Sequence, residues 1–153
     1  MTGTRNSFCF VLIMLSLLAI GCTGYQASSD RAPVSIMADR VNYTPLMSST
    51  VGIGLTPEFP SSLDNTIVSF RWQTDYGYFI IWRAPDFKVH EMGPDVTTDD
   101  GKIFWSYGPD DMDKDKPPVH VTLTMVDKAT GRTINSTGLK IGWVNKSVAT
   151  IVR

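Results

Sequence analysis

The densest group of candidate metal ligands lies in an acidic segment at residues 107–118, which reads YGPDDMDKDKPP. Carboxylate oxygens that are closely spaced on one loop are the ligands that Ca²⁺ prefers. The spacing does not match the EF-hand loop, however, and the interleaved Lys114 and Lys116 oppose the capture of a cation. Two interpretations stay open, a weak calcium site and a loop whose charges keep it soluble. The candidate ligands are Asp110, Asp111, Asp113 and Asp115.

The sequence offers few residues for catalysis. Its two histidines, His90 and His120, lie far apart, and His120 falls on the polar side of an alternating segment. No serine stands in the G-x-S-x-G or S-x-x-K pattern of a nucleophile, and no glycine-rich phosphate loop occurs. A net charge of −1 argues against nucleic-acid binding. We therefore expect a protein that is not an enzyme and that has no cofactor and no resident metal.

The start of the chain has the pattern of an export signal. Residues 1–7 are short and polar, and residues 8–20 form an apolar run. This run is shorter than the roughly 20 residues that a bilayer-spanning helix needs, so it is typical of the hydrophobic region of a signal peptide. Of the two cysteines, Cys9 lies inside the run and Cys22 follows it. Removal of the signal would leave Cys22 as an unpaired cysteine in an exported protein.

The residues Ala19-Ile20-Gly21-Cys22 resemble the lipobox of bacterial lipoproteins, although the usual first residue is Leu and this chain has Ala19. In that family the peptide is cut before the cysteine, which is then acylated. The resemblance implies that residues 1–21 are removed and that Cys22 carries lipid such as palmitate. It also implies that the protein is anchored to the cell membrane or the outer membrane, with its domain outside the cytoplasm. Two or more acyl chains hold a protein stably at a bilayer.

The remainder of the chain predicts a tether followed by one β domain. Residues 22–32 are small and polar after the cysteine, as in a flexible linker, and the domain spans residues 33–153. Short segments with period-two alternation, separated by Gly, Pro, Asn and Asp, indicate an all-β, antiparallel two-sheet sandwich of about 7–8 strands. The predicted strands lie near residues 34–38, 51–55, 68–73, 78–82, 103–107, 119–125, 139–143 and 148–152.

Two of these segments resemble immunoglobulin-like or PKD-type modules. They are SFRWQTDYGYF at residues 69–79 and HVTLTMVDKATGRTI at residues 120–134. Those families place a Trp on a central strand, which Trp72 matches, and a later strand of the form V-x-L-x-V-x-D-x-x-G, which residues 121–131 match loosely. The paired cysteines of antibody domains are absent. The resemblance implies an immunoglobulin-like sandwich, a fold that hosts many unrelated functions.

Aromatic residues are concentrated between residues 70 and 107. Alternation cannot bury all of them on one face, because Phe104 and Trp105 are neighbours on one predicted strand. Some must line a second core, an interface or an exposed patch. Since exposed Trp and Tyr are favoured at binding surfaces, we expect a binding surface that uses residues from one group. That group is Tyr76, Trp82, Phe87 and Trp105.

These patterns together predict a membrane-anchored envelope lipoprotein that is held by the lipid on Cys22. Its domain is expected to bind a protein partner or to take part in envelope assembly, without contact to nucleic acid. Two alternatives stay open. One is a module that binds Ca²⁺ or a glycan, and the other is an inhibitor of a protease or lysozyme, for which residues 109–118 are the candidate loop.

Overall fold

The computed structural model describes residues 33–47, 49–61 and 67–152. These residues form eleven strands and one short 3₁₀ helix, at Pro109–Asp111. In chain order the strands are β1 (Ser35–Ala38), β2 (Asn42–Tyr43), β3 (Ile53–Glu58), β4 (Val68–Thr74), β5 (Tyr78–Ile81), β6 (His90–Gly93), β7 (Asp95–Thr98), β8 (Ile103–Ser106), β9 (Val119–Asp127), β10 (Thr133–Asn145) and β11 (Val148–Val152).

The strands form two antiparallel sheets that pack as a sandwich. One sheet has five strands in the order β1-β3-β8-β5-β6, and the other has six in the order β2-β11-β10-β9-β4-β7. The predicted all-β two-sheet fold is confirmed, and the described residues form eleven strands, more than the 7–8 predicted. The additional strands are the edge strands β2, β6 and β7, with two to four residues each. Tyr43 and Val96 are their only buried residues, so no period-two pattern marks them.

Alternation along the long strands builds the core. On β9 the side chains of Val119, Val121, Leu123 and Met125 are fully buried, whereas the residues between them face outward. Trp72 on β4 lies opposite Leu123 and is also fully buried. Its ring centroid is 6.2 Å from that of Phe79, which lies in the other sheet, so aromatic contacts join the two layers. Burial of such aromatic rings is a major source of core stability.

The five-stranded sheet also carries aromatic residues on its outer face. Trp105 points into the core, whereas its neighbour Phe104 contacts Trp82, with ring centroids 5.8 Å apart. Phe104 and Ile80 lie opposite each other on β8 and β5, and both are buried although neither belongs to the central core cluster. The sandwich therefore has a second, smaller apolar cluster outside the two layers.

The strand register places the start of the domain and the β5–β6 connection at the same end of the five-stranded sheet. Ser35, the first residue of β1, pairs with Glu58, the last residue of β3. Leu55 on β3 pairs with Ile103, the first residue of β8. Because β5 is antiparallel to β8, β5 ends beside the start of β8. We call this end, which carries Pro33 and the β5–β6 connection, the near end.

The opposite end of the sheet, which we call the far end, carries the connection that follows β8. Residues 107–118 leave the sheet there, and the β10–β11 turn lies beside them, since the Tyr107 hydroxyl donates a hydrogen bond to the Ser147 carbonyl at 2.6 Å. The predicted acidic segment and the β5–β6 connection thus lie at opposite ends of the five-stranded sheet. No helix in the described residues is long and apolar enough to cross a membrane. The predicted signal peptide, Cys22 and the tether lie outside the described residues.

Candidate functional site

The structure does not bring together the four aromatic residues that were expected to share one surface. Trp105 is fully buried in the core, where its indole N–H donates to the Tyr76 carbonyl at 2.9 Å. The Tyr76 ring packs at the far end, 6.1 Å from the centroid of Trp143. Trp82 and Phe87 lie at the near end, with ring centroids 5.7 Å apart. Only these last two residues can act together on an exposed surface.

Trp82 and Phe87 belong to the β5–β6 connection, residues 82–89, which we call the aromatic loop. Trp82 covers Phe104 on the outer face of the sheet, and its indole N–H donates to the Phe87 carbonyl at 2.7 Å. This hydrogen bond and the two ring contacts hold the loop against the sheet. The ammonium of Lys102 lies 5.0 Å from the Phe104 ring centroid, a cation–π contact that closes the other side of the cluster.

Phe87 is presented to solvent in an unusual backbone conformation. Its side chain is 57 % exposed, and its φ of 49° lies in the left-handed region. For a bulky L-residue this region costs about 1–2 kcal/mol, and strain of this kind concentrates at functional sites. Val89 and Met92 are exposed beside it. A cavity of about 440 Å³ lies between the aromatic loop and β6. It is lined mainly by Ile81, Arg83, Ala84, Pro85, Asp86, His90 and Met92.

The charges of the aromatic loop are partly neutralised. Arg83 binds Asp100 at 2.6 Å, and the Asp86 carboxylate accepts the backbone N–H of Lys88 at 3.3 Å. Asp100 pairs with Arg83, and Asp86 balances Lys88 within the loop. The loop is therefore an apolar projection of the near end with little net charge.

A second apolar surface lies along the side of the sandwich, where the edge strand β1 faces β10 and β11. Met37 is 49 % exposed, and Val41 and Val152 are exposed beside it. Together with partly buried Ile36 and Leu139 they line a cavity of about 360 Å³, which we call the side groove. This groove was not among the surfaces predicted from the sequence. The available signal was Met37, a large apolar residue at an outward position of an alternating segment.

The acidic segment is organised around one of its own lysines. The Lys116 ammonium donates to the carbonyls of Asp111 at 2.6 Å and Lys114 at 3.1 Å, and to the carbonyl of Lys146. It also lies 4.5 Å from the Trp143 ring centroid. Desolvation lowers the pKa of Lys116, against the opposing attraction of the nearby aspartates. The backbone carbonyls that converge in this segment thus bind a lysine ammonium.

The four aspartates of this segment do not converge on one point. Asp111 forms an ion pair with Lys114, and Asp115 forms one with Lys146 at 3.3 Å. Asp110 and Asp113 are exposed. Hydrogen bonds from Lys114 and Tyr76 hold the pKa of Asp111 below its usual value. Among the described residues, no group of three or more His, Cys, Asp or Glu side chains is placed to hold a metal ion.

The two histidines are separate from each other. The Nδ1 atom of His120 lies 3.0 Å from the Asp75 carboxylate, whose other oxygen accepts the His120 backbone N–H at 2.8 Å. These hydrogen bonds contribute to holding the pKa of Asp75 below its usual value, against the effect of burial. His90 lies on the edge strand β6. The His120–Asp75 pair joins the loop after β4 to the start of β9, which is a structural role.

No family model, curated protein or solved structure matches this chain. Function is therefore inferred from three surfaces of the described domain. These surfaces are the aromatic loop at the near end, the side groove between the sheets, and the acidic segment at the far end.

Proposed function

We propose that this chain is a lipid-anchored protein of the cell envelope that binds another protein through its β-sandwich and does not act as an enzyme. The observation that supports this proposal is the side groove. Sandwich proteins normally cover or charge the apolar sides of their sheets, and contiguous exposed apolar surface marks interaction sites. Here Met37, Val41 and Val152 leave such a surface uncovered beside a terminal strand.

The anchor in this proposal is the lipid on Cys22. Its support comes from the sequence, in which the short apolar run and the Ala19–Cys22 motif precede a polar tether. An acylated Cys22 places the domain at the surface of the cell membrane or the outer membrane, outside the cytoplasm. We further assign the sandwich to the immunoglobulin-like type. This assignment is supported by Trp72, which lies on a strand at the centre of the core, opposite Leu123 of β9.

The geometry of the groove favours an extended partner segment. The strand β1 ends the five-stranded sheet, so one side of its backbone has no strand partner among the described residues. A partner strand could pair with these groups and place alternate apolar side chains in the groove, the recognition mode known as strand addition. The charged residue at the groove is Glu58, which accepts a hydrogen bond from Ser35 at 3.0 Å.

The experiment that tests this function is site-specific crosslinking in the native envelope. A benzophenone amino acid at Met37 should yield a defined adduct with a second envelope protein. The same probe at Thr97, which is exposed on β7 at the other side of the sandwich, should not. Met37→Asp should reduce capture of that partner, whereas Thr97→Asp should leave it unchanged. An equal adduct pattern at both positions would contradict a groove-specific partner.

The anchor is tested separately by metabolic labelling with palmitate. The wild-type chain should incorporate the label and the Cys22→Ala variant should not. Labelling of both chains, or of neither, would show that Cys22 is not the acylated residue. This measurement does not depend on the partner, so the two parts of the proposal can fail independently.

A further inference from the structure

The aromatic loop lies at the end of the domain where the chain arrives from the proposed anchor. Pro33 and the aromatic loop share the near end, as the pairing of β1, β3, β8 and β5 shows. Cys22 and Pro33 are 33 − 22 = 11 residue steps apart. A chain of that length cannot span more than about 40 Å. A lipid on Cys22 would therefore keep the near end within about 40 Å of the bilayer.

The chemistry of the loop suits a lipid surface. Trp82 has an apolar ring with one polar N–H, and Phe87 and Val89 expose apolar side chains. Aromatic residues of this kind are enriched at membrane interfaces, where basic side chains extend to the head groups. Of the two basic side chains of the loop, Lys88 is exposed and Arg83 is paired with Asp100 at 2.6 Å. The left-handed backbone of Phe87 leaves its apolar side chain 57 % exposed, although the ring also contacts Trp82.

The charge distribution of the domain favours the same orientation. Residues 109–118 at the far end contain four aspartates and two lysines, a net charge of 2 − 4 = −2. Anionic lipids attract basic segments and repel acidic ones near the membrane surface. An orientation with the near end toward the bilayer therefore keeps the acidic segment away from the lipid.

We propose that the aromatic loop, residues 82–89, docks on the bilayer that carries the anchor and forms a second membrane contact. This inference rests on the proposed acylation of Cys22. Membrane attachment by lipid chains is strengthened and oriented by an additional apolar or basic contact. Docking at the near end fixes the domain so that the side groove faces sideways along the membrane plane, available to a neighbouring envelope protein.

The test uses the mature acylated protein in vesicles of phosphatidylethanolamine and phosphatidylglycerol. A nitrobenzoxadiazole dye is attached to Phe87→Cys, and in a matched variant to Val144→Cys. Val144 is 62 % exposed and lies at the far end, beside the β10–β11 turn. Val89→Cys provides a second loop position in case the label at position 87 prevents folding. Acylation leaves Cys22 without a thiol, so the introduced cysteine alone should react with the dye.

If the loop docks, the dye at position 87 or 89 should emit at shorter wavelengths and be quenched by spin-labelled lipid, while the dye at 144 should do neither. Water-like emission at all three positions, or equal quenching at both ends, would overturn the inference. A change at position 87 that appears only after envelope proteins are added would assign the loop to a protein partner instead. Labelling at a second thiol would show that Cys22 is not acylated, a failure of the proposed anchor and not of the loop.

Discussion

The ammonium of Lys116 lies 4.5 Å from the ring centroid of Trp143, and this contact joins the acidic segment to the β10–β11 region. The Trp143 indole N–H in turn donates to the Pro117 carbonyl at 2.8 Å. Lys116 and the next residue, Pro117, thus each contact Trp143. Four backbone carbonyls and the Tyr107 ring also surround the Lys116 ammonium. The order of the acidic segment therefore depends on one internal cation.

Replacing Lys116 with Met should destabilise the domain by about 2 kcal/mol, because hydrogen bonds from a charged donor and a cation–π contact are lost together. Urea unfolding monitored by tryptophan fluorescence measures this loss. Lys114→Met is the matched control, since Lys114 makes an exposed ion pair with Asp111, which is expected to contribute little. Equal effects of the two substitutions would contradict the role assigned to Lys116.

A side chain at Gly77 should be strongly destabilising because it would clash with a neighbouring backbone, in addition to straining its own backbone. It has a φ of 78°, and a Cβ at this position would lie 2.3 Å from the Ser106 carbonyl oxygen. Gly131 has a similar φ of 68°, but a Cβ there would meet no atom within 4 Å. Gly131→Ala should therefore cost about 1 kcal/mol through backbone strain alone. Gly77→Ala should cost at least about 3 kcal/mol because a backbone clash adds to that strain.

Thermal unfolding of the two glycine variants followed by circular dichroism compares them directly. The midpoint of Gly77→Ala should fall well below that of Gly131→Ala. Similar midpoints would mean that the turn at Gly77 can move away from Ser106, and that the close approach is not a fixed feature of the sandwich.

The sandwich could be predicted because its long strands carry the alternation that a half-buried strand requires. The burial of Val119, Val121, Leu123 and Met125 follows directly from their spacing. The short strands β2, β6 and β7 could not be predicted, because each has at most one buried residue and therefore no alternating apolar pattern. Alternation also places Phe104 and Trp105 on opposite faces. It does not show that the chain after β5 folds back to cover Phe104.

The candidate surfaces were less accessible to sequence analysis. The lysines of the acidic segment were predicted to oppose the binding of a cation. In the structure, the Lys116 ammonium is itself bound by backbone carbonyls of this region. One of its carbonyl partners belongs to Lys146, which is distant in the sequence and arrives through the β10–β11 turn. The side groove likewise combines residues of β1 with residues of β10 and β11. Contacts between such distant segments depend on topology, which residue spacing does not encode.

Two fully buried tryptophans should respond differently to replacement by phenylalanine. The Trp105 indole N–H donates to the Tyr76 carbonyl, whereas the Trp72 indole N–H has no hydrogen-bond partner in the described part of the chain. Trp105→Phe removes a hydrogen bond to the Tyr76 carbonyl, which still accepts the Thr74 hydroxyl at 2.7 Å, while Trp72→Phe removes a buried donor that lacks an acceptor. Because a hydrogen bond contributes about 1 kcal/mol and an unsatisfied buried donor costs about 1–3 kcal/mol, Trp105→Phe should be the more destabilising by at least about 1 kcal/mol.

Urea unfolding of the two variants measures this difference, with both residues matched in size and burial. A larger loss for Trp72→Phe would indicate that its N–H has an acceptor after all, or that the space left beside Phe79 dominates the energy. The crystal structure of that variant would then show which of the two applies.

The domain should become less stable at alkaline pH, because folding raises the pKa of several tyrosines. Burial, together with the neighbouring Asp111 carboxylate, raises the pKa of Tyr76 from 10.0 to about 12. A raised folded-state pKa stabilises the native state fully below pH 10, and this stabilisation is lost as the pH rises from 10 toward 12. Urea unfolding across this interval should show a falling free energy of unfolding, with a shallower decline in Tyr76→Phe. An unchanged slope in that variant would assign the alkaline loss to the tyrosines Tyr43 and Tyr107, whose pKa values burial also raises.

Phe87 should be replaceable without loss of the fold but not without loss of the membrane contact. Asn accepts the left-handed conformation that Phe87 adopts, whereas a β-branched residue does not. The free energy of unfolding of Phe87→Asn should therefore lie within about 1 kcal/mol of the wild-type value, since the relieved strain offsets the lost ring contact with Trp82. Phe87→Val should be less stable than Phe87→Asn. With the dye at Val89→Cys, addition of Phe87→Asn should abolish the emission shift in vesicles. A shift that persists in this variant would show that the Phe87 ring does not reach the lipid.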